Sequence, residues 1–179
     1  MVIFVVAALG GTMGCKRGPA VEDRQTRPPV KVDPSKPEDT LYAQIRAGST
    51  QIEGVIDTLD AVLEQVKRID SGKDPDVKAV FGDLKDAIDA AGAALASYAG
   101  EEPERAAVAK NFAKFDEWRI GAIAAGNDAR HELIDAQGLA DSLAETAKID
   151  QMSAVAELLE VGIVDLRDAI ETLGGKVED

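Results

Sequence analysis

The 179-residue chain contains one histidine and one cysteine. Any chemistry that needs an imidazole or a thiol must therefore be built around a single residue. Asp128 lies three residues before His131 and Asp135 four residues after it, which would place all three on one helical face. A carboxylate–imidazole–carboxylate set is a weak candidate for a divalent cation. A tight structural site wants four ligands, and no second His or Cys follows Cys15 except His131 itself. Ion pairing on an acidic surface is the simpler reading, and no metal is expected. A nucleophile–base pair would also have to use His131. The phosphate-loop, dinucleotide and nucleophile-elbow patterns are missing, so no catalysis is expected. Phe112, Phe115 and Trp118 recur at i, i+3 and i+6 with Arg119 beside them. Such a ridge either packs into a core, with Phe81 opposite, or faces a protein partner, because aromatics and Arg are enriched where interfaces are tightest.

The elements that would position these residues read as helices. From Glu38 onward the apolar residues alternate three- and four-residue steps. Ile45, Ile52, Leu59 and Val66 form one row, and Val55, Val62 and Ile69 form the next, which is the seam of a helical bundle. Ser35-Lys36-Pro37-Glu38 has the form of a capping box, and Thr50-Gln51-Ile52-Glu53 is a second one after Gly48-Ser49. The first helix is thus expected to start near 37 and to end at Ser71-Gly72, and 48–50 is a place where it could kink or break. Asp74-Pro75 opens the second helix. Val77, Phe81, Leu84, Ile88, Ala91, Leu95 and Tyr98 then step regularly to a stop at Gly100. Pro103 begins a third segment. Its register runs past Gly126-Asn127 to Ala147, so residues 103–148 form either one long helix or two with a turn at 126–127. The last helix spans about 151–173 and carries Met152, Val155, Leu159, Leu166, Ile170 and Leu173. The expectation is an all-α, antiparallel up-and-down bundle of four to five amphipathic helices over residues 38–175, with 176–179 as a tail.

Met152 and His131 together resemble the axial pair of periplasmic four-helix haem proteins. In that family the ligands sit on the terminal helices, whereas His131 is mid-chain. Met152 also lies on an apolar stripe, so it is expected in the core and no cofactor is expected.

Residues 1–37 differ in kind. Val2 to Leu9 read VIFVVAAL, an apolar run too short to cross a bilayer, which takes about 20 residues. It has the length of a signal-peptide core. Gly14 precedes Cys15, and Lys16 and Arg17 follow. This arrangement resembles the signal of bacterial lipoproteins. Thr12 stands where that family favours Leu, and no basic residue precedes the run. The resemblance implies that residues 1–14 are removed and that Cys15 receives a lipid at the new N-terminus.

Residues 15–37 hold five of the seven prolines and few large apolar side chains, so they are expected to form an extended linker. Six basic and three acidic residues give residues 1–37 a charge of +3, which leaves −16 of the total −13 on the rest. A basic linker beside an acyl chain favours an anionic membrane surface. An acidic body disfavours direct binding to nucleic acid. The acidic positions (Asp83, Asp86, Asp89; Glu157, Glu160; Asp165, Asp168) fall on polar helix faces and read as solvated surface. The sequence thus implies an exported, lipid-anchored protein of the cell envelope with a structural or protein-interaction role. It would contact the membrane through Cys15 and a protein through a helix face. Two alternatives stand beside this: a cofactor- or metal-carrying bundle, and an oligomerising coiled-coil component of the envelope.

Overall fold

The computed structural model describes Asp33 and residues 35–178. The signal-like segment, Cys15 and most of the linker lie outside the described residues. Those described are all-helical: α1 (Pro37–Arg68), α2 (Pro75–Leu95), α3 (Arg105–Lys110), α4 (Phe112–Glu145) and α5 (Gln151–Thr172), with a 3-10 turn at Ala96–Tyr98. No described helix is long and apolar enough to cross a membrane.

The helix ends follow from local chemistry. Pro37 stands in the first turn of α1, where its missing N–H costs nothing. Glu38 and Asp39 at its start, and Lys67 and Arg68 at its end, complement the helix dipole. The expected capping box at Ser35 is not made. The Ser35 amide and hydroxyl both donate to Asp33 Oδ1, at 3.1 and 2.6 Å, and no side chain caps α1. Asp74 does cap α2, accepting from the Asp76 amide at 2.9 Å. Gly100, at φ +66°, turns the chain after α2. Gly174, at φ +78°, ends α5 in a Schellman turn, where the Gly174 amide donates to Glu171 O and the Gly175 amide to Ile170 O.

Four long helices alternate in direction. Tyr98, after α2, meets Trp118 in the first turns of α4 edge to face, with ring centroids 5.4 Å apart. At the opposite end the 70–74 and 146–149 loops share one cleft, so α2 and α4 are antiparallel. Backbone approaches set the register of the other pairs. A methyl on Gly48 would lie 2.5 Å from Leu173 Cγ, and one on Gly126 would lie 2.9 Å from Ile170 Cγ1. Gly162 faces both Leu133 and Leu59. Around the bundle α1 neighbours α5, α5 neighbours α4, and α4 neighbours α2, while α1 meets α2 less extensively. The main core is a single cluster of these inward residues, including Leu59, Leu84, Leu133, Leu159 and Leu166.

At three places the backbone decides what the sequence left open or did not mark. First, α1 runs unbroken through Gly48-Ser49-Thr50. Thr50 Oγ1 donates to the Arg46 carbonyl one turn back, within the continuous helix. Second, no turn forms at Gly126-Asn127, which lies within α4. The glycine is there because Ile170 presses on it. Asn127 is spent on the C-terminal segment, donating to Lys176 O at 3.2 Å and accepting from the Glu178 amide at 3.0 Å. Third, the chain breaks instead at Asn111, whose φ −127°, ψ 43° separates α3 from α4. Residues 176–178 are therefore no loose tail. They run back along α4, fastened by Asn127 and by Arg130, which donates to Glu178 O at 2.8 Å, while Val177 packs against the core.

Candidate functional site

The helices differ in length, and the difference builds a second structure at one end. Leu173 lies against Gly48, so residues 37–47 of α1 extend beyond α5 by about 16 Å at 1.5 Å per residue. Both α1 and α4 begin at this end. The overhang is roofed by α3, and Leu41, Ile45 and Val108 form a small buried cluster of their own. Tyr42, Phe115 and Trp118 pack around it. Trp118 also touches the main core and so joins the two clusters.

Polar pins fix this end where apolar surface is scarce. Ser49 is fully buried. Its hydroxyl donates to Tyr98 O at 2.9 Å and accepts from the Glu101 amide at 2.5 Å, while Ser49 O accepts from the Gly100 amide. One serine thereby holds the α2–α3 loop against α1. Asp39 is buried beneath Arg105, whose Nε and second guanidinium nitrogen engage both carboxylate oxygens. This fork-to-fork pairing clamps α3 to the first turn of α1. The Arg105 hydrogen bond and charge hold the Asp39 carboxyl below the usual carboxylate range, against the opposing effect of burial. The Asp33 carboxyl is also lowered, by the hydroxyl and then the amide of Ser35.

The aromatic ridge divides between two environments. Phe115 and Trp118 pack inward on the small cluster, whereas Phe112 is 40% exposed. Phe81 does not stand opposite Trp118. It lies 17 residues before Tyr98, about 25 Å down an antiparallel helix, so it faces the far part of α4. The loop and α3 between the helices shift the register from that of a tight turn at Gly100. Arg119 is not a free cation. It pairs with Asp116, with Nε at 2.9 Å, and donates to Leu173 O at 3.0 Å, tying α4 to the closing turn of α5.

The other chemistry-bearing residues are not gathered. His131, Asp128 and Asp135 are exposed on α4. Among the described residues no three His, Cys, Asp or Glu side chains are grouped to hold a metal ion. Met152 is fully buried at the start of α5. Pairing of Gly126 with Ile170 and of Leu133 with Gly162 puts Met152 level with the region of Leu143, about 18 Å along the bundle from His131. These two side chains cannot ligate one iron. The cleft at the far end, about 390 Å³, has Asp70, Asp74 and Lys73 in its walls. Both carboxylates already accept backbone amides, Asp70 from Gly72 at 2.8 Å and Asp74 from Asp76.

The class of protein that this geometry defines is a four-helix up-and-down bundle with a roofed, polar-pinned end where the N-terminal chain enters. Comparison with protein-family models, curated proteins and solved structures gives no match for this chain.

Proposed function

We propose that the chain is a lipid-anchored helical bundle of the cell envelope with a structural or protein-interaction role and no catalytic step. The observation that carries this reading is Cys15, the only cysteine, directly after Gly14 and the VIFVVAAL run. The proline-rich, basic segment that follows suits a spacer between an acylated cysteine and a folded body. The body begins at Pro37, so 21 residues separate anchor and helix. The helices are long and antiparallel, and their apolar stripes are directed at one another. This favours work done by surfaces and spacing over work done in a pocket. The Arg119 guanidinium is committed to Asp116 and Leu173. Among the described residues Phe112 is the exposed aromatic.

An oligomerising reading also has an observation in its favour. Ile120 and Ile134, 55% and 40% exposed, lie two heptads apart on the outer side of α4. Light scattering on the purified body tests it, and a monomer refutes it.

The anchor is tested in cells. Inhibition of lipoprotein signal peptidase by globomycin should accumulate the longer precursor. The mature chain should partition into detergent, and its Cys15→Ser variant should stay aqueous. A free thiol at Cys15, found by mass spectrometry of the mature protein, refutes the reading.

A further inference from the structure

The break at Asn111 leaves residues 109–114 exposed throughout, the longest such run among the described residues. Its sequence is Ala-Lys-Asn-Phe-Ala-Lys, with two lysines and no acid, in a chain with 33 acidic residues. The run forms the corner between α3 and α4, at the end where α1 also starts and where the chain from Cys15 enters. Phe112 is the first residue of α4, and side chains on a helix lean toward its N-terminus. Its ring is 40% exposed and is flanked in sequence by Lys110 and Lys114. We infer that this corner is a membrane contact: Phe112 enters the interface of an anionic bilayer, and the two lysines meet its headgroups. This rests on the reading of Cys15 as a lipid anchor.

Two physical arguments select a lipid surface as the occupant. The first is charge. Lysine near an anionic leaflet is favourable and an aromatic ring suits the interfacial layer. Elsewhere the body is strongly acidic, but screening extends only about 10 Å at ordinary ionic strength. A bundle about 48 Å long, set by the 32 residues of α1, keeps most of its acids beyond that range when it stands on this corner. Around the tip Lys36, Lys110, Lys114 and Arg105 stand against Asp33, Glu38, Asp39, Glu104 and Glu117, so the basic surface is the exposed 109–114 run itself and not the whole end. The second argument is tethering. One ring and two lysines bind a bilayer weakly in free solution. Attachment through a linker of some twenty residues replaces that dilute equilibrium by a local concentration near the millimolar range. The corner then decides orientation: the bundle stands end-on, with its far loops outward.

The test supplies the attachment chemically. Residues 15–179 are coupled through Cys15 to a maleimide phospholipid in phosphatidylcholine vesicles with or without phosphatidylglycerol. Two reporters are built on Trp118→Phe, the parent's only tryptophan being Trp118. One carries Phe112→Trp and the other Ser153→Trp, at the exposed start of α5 on the far end. Brominated acyl chains should quench the first several-fold more than the second, only with phosphatidylglycerol, and the difference should vanish with Lys110→Gln and Lys114→Gln. Hydrogen exchange on the coupled wild-type sequence is a second readout, independent of the tryptophan changes: amides 109–114 should slow on anionic vesicles. Equal quenching at both positions, or unchanged exchange at 109–114, overturns the contact. Because coupling is done in vitro, these outcomes do not depend on whether cells acylate Cys15. The mass of the mature N-terminus answers that separately.

Discussion

The four-helix section and the roofed end are stabilised in different ways. In the first, large apolar rows of α1, α2 and α5 pack with a face of α4 made of alanines with Leu133 and Leu143, and the cluster runs the full length of α5. In the second, three apolar side chains are buried and the rest is held by Ser49, the Asp39–Arg105 pair and the Arg119 bond to Leu173. Apolar seams are redundant, since removing one leucine leaves many. Polar pins are few and geometric, so each governs a definite loop. The end that bears the exposed corner is therefore the part that should open first.

The largest expected effect tests redundancy. Leu133→Ala, at a fully buried position, should lower the unfolding free energy by about 2–5 kcal/mol in urea titration. Val108→Ala, buried but in the small cluster, should raise amide exchange around α3 while leaving the global urea midpoint nearly unchanged. An equal fall in midpoint for both would erase the distinction between the regions.

A smaller effect isolates one pin. Ser49→Ala removes a hydroxyl that both donates and accepts, and should cost about 1–3 kcal/mol. The measurement is exchange at Gly100 and Glu101, which should speed up before α2 or α5 responds.

Glycines sharpen the comparison further. Gly48→Ala drives a methyl into Leu173 at the junction of the two regions and should destabilise by about 1–3 kcal/mol. Gly92→Ala meets open space on α2 and should stabilise by about 1 kcal/mol through helix propensity. Paired thermal melts should shift in opposite directions.

The smallest effect is a pH dependence confined to the roofed end. The folded Asp39 carboxyl titrates below its unfolded value, so the Arg105 pair contributes fully above the ordinary carboxylate range. That contribution is lost as pH falls through the folded value. Trp118 fluorescence should change during acidification before helical circular dichroism does, and Arg105→Ala should remove this early phase.

The four-helix section was readable from the sequence because its physics is periodic. Ile52, Leu59, Val66, Val55 and Val62 occupy the rows assigned to them and are buried, while Ile69, assigned to the same rows, is half-buried just past the end of α1. The same holds for Phe81 to Leu95 and for Met152 to Leu173. The roofed end was not readable, because its determinants are single polar groups with distant partners. Ser49 and Thr50 look like a cap from neighbouring residues alone, yet the Ser49 partners are 49 and 52 residues away. Gly126-Asn127 fits either a turn or a continuous helix until Ile170 and the 176–178 segment are placed beside it. No proline or glycine marks the break at Asn111. It forms because Val108 is buried in the small cluster and Arg105 is held by Asp39, while the α4 register is set separately by the main core.

Helix α1 belongs to both regions as one uninterrupted rod, and the N-terminal chain joins it at its first turn. Consider a pull applied at that turn along the rod's axis. Against antiparallel α5 such a force acts in shear, loading the Gly48–Leu173 contact and those above it together rather than peeling them one by one. The Asp39–Arg105 clasp sits nearest the point of application and yields first, so the roofed end would serve as the molecule's mechanical fuse.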